Sequence, residues 1–139
     1  MPALKETLRN VRLVHLGFLA LVAVVFLAAT QIRQQPRTMP VFFPAVLAFV
    51  ALADIGVATL LRVQRLKPAA ERLRASPEDP RAQRDWRNGN ILSFVFALTT
   101  ALFGMVTHVL GFSMNVAAWF FVTSFLLLLL WWPRLEPQP

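Results

Sequence analysis

The stretch ILSFVFALTTALFGMVTHVL, residues 91–110, is followed after the single glycine Gly111 by FSMNVAAWFFVTSFLLLLLWW, residues 112–132. Each run matches the roughly 20 apolar residues that a helix needs to cross a hydrocarbon core of about 30 Å. Neither carries a formal charge unless His108 is protonated. Working outward, residues 41–61 form another such run, with Asp54 as its only formal charge, and residues 13–30 form a fourth, uncharged unless His15 takes a proton. The chain of 139 residues therefore reads as an all-α membrane protein, one transmembrane domain of four helices over residues 1–139.

Composition agrees with this reading. Apolar residues make up 57% of the chain, yet the formal net charge is +7, so the charge lies outside the spans. A strongly basic soluble chain would suggest nucleic acid, but here the lysines and arginines are explained by membrane topology, and no nucleic-acid partner is expected. With no cysteine in the chain, disulfides, thiolate metal sites and cysteine nucleophiles are excluded.

Lys5, Arg9 and Arg12 precede the first span, and Arg33 and Arg37 lie between the first two. Arg62, Arg65, Lys67, Arg72, Arg74, Arg81, Arg84 and Arg87 follow the second, none lies between the last two, and Arg134 follows the fourth. In a four-span chain the N-terminus, the middle connection and the C-terminus share one side, which holds nearly all of these charges. The positive-inside rule places that side, and both termini, in the cytoplasm. Residues 62–90 are then expected as a cytoplasmic loop near anionic headgroups, serving either as a topology signal or as a docking surface. Pro68, Pro77 and Pro80 are expected to interrupt any long helix there, leaving at most a short helical piece over residues 69–75. Trp86 reads as an interfacial anchor. The first apolar run exceeds the usual signal-peptide core of about 7 to 15 residues, so a retained span is expected.

The spans group as two antiparallel hairpins. Pro44 falls in the first turn of the second helix, where its missing N–H is harmless, and Gly111 permits the reversal between the last two spans. Helix association in lipid depends on small residues and a few interhelical hydrogen bonds. Two stripes have that character: Ala48, Ala51, Asp54 and Ala58 on the second span, and Ser93, Ala97, Thr100, Gly104, His108 and Gly111 on the third. Both are expected to face other helices, within the bundle or on another protein.

Asp54 is the most informative polar side chain. An aspartate near the middle of a span costs about 2.5 to 3.5 kcal/mol on insertion scales, so it needs protonation or a partner. It is a candidate coupling carboxylate for a proton or cation, or one end of an interhelical hydrogen bond. His15 and His108 lie at opposite membrane faces and are read as interfacial or hydrogen-bonded histidines. Thr99, Thr100 and Thr107 can bond their own preceding carbonyls. No catalytic constellation, cofactor motif or metal-ligand spacing is visible, so enzyme activity is not expected and no cofactor is implied.

The order of elements carries a resemblance: a basic start, one span, a polar connection, Met39-Pro40-Val41-Phe42-Phe43-Pro44 opening the second span, a charged middle segment, and a hairpin through Leu110-Gly111-Phe112. This arrangement resembles the TctB family, the small four-span membrane subunit of tripartite tricarboxylate transporters. The match rests on Phe43, Pro44, Gly111 and Phe112. The resemblance implies a bacterial inner-membrane complex with a large multi-span permease and a periplasmic substrate-binding protein, importing carboxylates with an ion gradient. It implies a supporting role and no substrate ligands. Two other functions fit the sequence: a self-sufficient small four-span transporter, dimeric with Asp54 as coupling carboxylate, and a membrane anchor or sensor using residues 62–90.

Overall fold

A computed structural model of the chain describes residues 2–135. Among the described residues all regular structure is helical. Helix α1 spans Pro2–Gln31, α2 Phe43–Leu61, α3 Lys67–Ala75, α4 Pro80–Val109 and α5 Met114–Leu130, with a π-helical turn, Arg62–Leu66, joining α2 to α3. Three stretches, Leu4–Gln31, Phe43–Ala75 and Pro80–Val109, are long and apolar enough to cross a membrane. Helix α5 has 17 apolar-rich residues, about 26 Å at a helical rise of 1.5 Å per residue. The fourth span is thus shorter than residues 112–132.

Residues 62–90 are not a loop. The chain leaves α2 without breaking, and only residues 76–79 are non-helical before α4 begins. Two of the three prolines expected to interrupt this region sit where proline is tolerated. Pro68 lies in the first turn of α3, just beyond the π-helical turn, whose wider spacing lets the Lys67 N–H bond to the Arg62 carbonyl. Pro80 is the first residue of α4, and Asp79 caps it: the carboxylate accepts from the Arg81 N–H at 2.9 Å and the Ala82 N–H at 3.3 Å. The helical piece expected over residues 69–75 is present as α3, extended by two residues at its start.

The resulting rods build a small core outside the apolar spans. Ala69 and Leu73 of α3, Ala82 and Trp86 of α4, and Val11 of α1 are buried together, with Leu4, Leu8 and Leu66 against them. Trp86, expected at the interface with its ring toward the headgroups, is 1% exposed and packs as a core residue of this helical end. A helical stalk explains its burial: Ala82 and Trp86 lie one turn apart on the same face of α4.

Helix α4 is the hub, packing against α1, α2, α3 and α5. Its approach to α5 is close: a methyl on Gly104 would lie 2.9 Å from the Ala117 carbonyl oxygen and 3.0 Å from the Phe120 Cβ. The Ser124 hydroxyl crosses that contact and donates to the Ala97 carbonyl at 2.6 Å. Helices α1 and α2 each rest on α4 and are not a main packed pair with one another. The two helices expected as the first hairpin are joined in sequence, and each packs on α4. Outside, large apolar side chains such as Leu13, Phe49, Leu52, Trp119 and Leu130 are exposed, as a lipid-facing surface requires.

Candidate functional site

The small-residue stripe of α4 is interior. Ser93, Ala97, Thr100, Gly104 and His108 are all buried. The hydroxyls of Ser93, Thr100 and Thr107 donate to carbonyls four residues back, Gly89 at 2.8 Å, Phe96 at 3.3 Å and Phe103 at 2.7 Å. Those bonds satisfy the hydroxyl donors within α4 itself.

The stripe of α2 is only partly covered. Ala51 and Ala58 are buried, whereas Ala48 and Asp54 are half-buried. A cavity of about 400 Å³ opens between α2 and α5, lined among others by Ala48, Ala51, Ile55, Thr100, Trp119 and Phe120. Its walls are almost wholly apolar. Asp54 does not line it, because a step of three residues from Ala51 turns the side chain about 60° round the helix, away from Ile55. Among the described residues Asp54 has no hydrogen bond or ion pair, so the interhelical bond considered for it is not made within these residues.

At one end of the bundle the two short motifs meet. The Phe43 and Phe112 rings stack with centroids 6.4 Å apart and planes 19° from parallel, and the Arg37 guanidinium lies 5.7 Å from the Phe112 centroid. The segment after α1 crosses this turn. The Gln35 N–H donates to the Val109 carbonyl at 3.1 Å, and the Gln34 amide donates to the Phe112 carbonyl at 2.9 Å and to His108 Nδ1 at 3.0 Å. His108 is thus a hydrogen-bonded histidine.

The opposite end holds polar side chains whose burial the sequence reading did not anticipate. His15 is fully buried, edge-on to Phe94 at 4.6 Å and to Trp132 at 4.8 Å, and neither ring nitrogen has a hydrogen-bond partner among the described residues. The hydrogen bond expected for it is not made among the described residues. Asn90, one turn before Phe94, donates to the Trp86 carbonyl at 2.9 Å but leaves its Oδ1 unpartnered. Arg62 lies over Trp131 at 5.3 Å with Nη1 buried and unpartnered. A signal was present: His15 and Asn90 stand at the start of an apolar run and Arg62 at the end of one, positions that an antiparallel arrangement brings to one level.

Among the described residues no three His, Asp or Glu side chains converge as a metal site. Comparison with known protein families, curated proteins and solved structures finds no match to this chain.

Proposed function

We infer that this protein is an accessory membrane subunit, packing against and supporting a large permease in a binding-protein-dependent carboxylate uptake system. The observation that carries this reading is Asp54, half-buried on α2 without a partner among the described residues. Helix α2 rests on α4 and leaves an apolar groove beside α5 open. A midspan carboxylate is costly in lipid, and a helix of a larger subunit laid against α2 would supply both a hydrogen-bond donor and cover for the small residues. The stacking of Phe43 on Phe112 supports the family resemblance in one respect: the two motifs that suggested it act as one unit.

In this reading the protein lies in a bacterial inner membrane, its spans forming two antiparallel hairpins with both termini and residues 62–90 cytoplasmic, as the basic residues direct. The periplasmic substrate-binding protein is reached through the permease. Purification in mild detergent should recover a much larger membrane protein, and Asp54→Leu should lose it while the small subunit still folds. Recovery of the protein alone under several gentle conditions would overturn the reading.

The unpartnered Asp54 also favours a second reading, a dimeric transporter in which it couples an ion to the substrate. Transport by the chain reconstituted alone, abolished in Asp54→Asn, would select that reading over the first.

A further inference from the structure

Between α4 and the continuous rod of α2, the π-helical turn and α3 lies a cavity of about 310 Å³, within the usual range of ligand sites. Leu61, Gln64, Arg65 and Arg72 form one wall, spaced to share a face of the continuous rod. Asp85, Asn88 and Leu92 form the other, at helical spacing along α4. Gly89 also lines it, and a methyl there would lie 2.5 Å from the Leu66 Cδ1, so the two rods touch at that point.

The chemistry of the cavity is divided. Leu61 and Leu92 belong to the apolar runs, and Leu92 with the nearby Val63 is exposed, so the apolar wall continues into the lipid-facing surface. Beyond them the wall is polar, with two arginines against one carboxylate. Arg72 and Asp85 approach to 3.9 Å, both side chains about half exposed, a long contact that offsets one charge and leaves Arg65 uncompensated. The cavity thus presents one net positive charge, several N–H donors and an apolar exit at the depth where an apolar span becomes polar.

We propose that this cavity is a binding site for the headgroup of an anionic phospholipid, its phosphodiester held by Arg65 and Arg72 and its acyl chain leaving past Leu61 and Leu92. Net charge selects the class: a phosphodiester with an uncharged headgroup, as in phosphatidylglycerol, matches one surplus arginine, whereas a choline lipid brings a cation that the site does not need. Basic pockets between membrane helices bind such headgroups for the same reason. The continuity of the apolar wall with the lipid surface distinguishes a membrane lipid from a soluble phosphate. Arg62 and Arg65 both belong to the π-helical turn, where Arg62 lies over Trp131 and Arg65 lines the cavity.

The test is lipid retention by the purified full-length protein in detergent, read by native mass spectrometry after adding phosphatidylglycerol or phosphatidylcholine. Phosphatidylglycerol should be retained preferentially. At about fivefold per arginine near a membrane surface, the double variant Arg65→Gln/Arg72→Gln should reduce its retention roughly 25-fold. The charge-matched double variant Arg74→Gln/Arg81→Gln, outside the cavity, should retain it unchanged. Asp85→Asn should raise retention by freeing Arg72, a gain that misfolding cannot mimic, and circular dichroism confirms that each variant is helical. Equal retention of the two lipids, equal loss in both double variants, no gain in Asp85→Asn, or displacement of the lipid by inorganic phosphate would each overturn the proposal.

Discussion

Gly111 and Gln35 meet so closely that a methyl on the glycine would lie 2.5 Å from the glutamine's carbonyl oxygen. The same glycine has φ of +88°, in the left-handed region that side-chain-bearing residues avoid. Two constraints therefore fall on one residue, conformational and steric. Gly111→Ala should destabilise the protein by more than the ~1–2 kcal/mol of the backbone term alone. Thermal unfolding of the detergent-solubilised variant checks this, and an unchanged midpoint would mean that the turn relaxes freely.

The Gln34 amide ties the α1–α2 connection to His108 and to the Phe112 carbonyl. Removing Gln34 leaves the buried His108 Nδ1 without its donor, and removing His108 leaves the exposed Gln34 amide bonded to the Phe112 carbonyl alone. Gln34→Ala and His108→Ala should each destabilise by about 1 kcal/mol, with less than additive loss in the double variant. A double-mutant cycle on unfolding free energy gives the coupling directly, and strict additivity would show that the bond contributes nothing.

Ser124 donates to the Ala97 carbonyl across the α4–α5 contact. Interhelical bonds of this kind average about 0.6 kcal/mol, so Ser124→Ala should cost little. Gly104→Leu should cost far more, because its first added atom already meets the Ala117 backbone and Phe120. Measured together, the pair asks whether close packing or hydrogen bonding dominates this interface, and a larger loss in Ser124→Ala would reverse our ranking.

Because the chain has no cysteine, single cysteines can report the state of residues 62–90 without background labelling. Cysteines replacing Ala69 and Ala82, both fully buried, should react slowly with a polar maleimide, whereas one replacing the exposed Arg81 should react fast. A flexible loop would label all three alike. Asp79→Ala should speed labelling at residue 82, since it removes the cap that begins α4, a loss of about 1 kcal/mol of helix stability.

Much of this region was legible and was misread. Asp79-Pro80 is a helix-start signal, an N-cap residue followed by proline in the first turn, and Pro68 likewise opens α3. Treating these prolines as breakers was reasonable for isolated residues. What rescued the helices was tertiary: α3 packs on α4, Leu73, Ala82 and Trp86 are buried in the common core, and a π-helical turn accommodates Pro68. The α4 stripe from Ser93 to His108 was visible because small residues at helical spacing imply close neighbours. Which neighbours they have was not visible, and the polar trio of His15, Arg62 and Asn90 was missed because each looks ordinary in its own segment.

The amino-acid sequence by itself determined that this is a helical membrane protein. Transfer of a side chain into lipid is a local quantity, summed along each run, and an apolar segment with no internal charge needs no partner to declare itself. Only the tertiary structure decided that α4 is the hub, that α1 and α2 each pack on it, and that Arg65 and Arg72 share a cavity with Leu61 and Leu92. Those outcomes depend on shape complementarity between segments far apart in the chain, such as Gly89 against Leu66 and Gly104 against Ala117. Packing of that kind is a property of pairs of surfaces, and no single segment contains it.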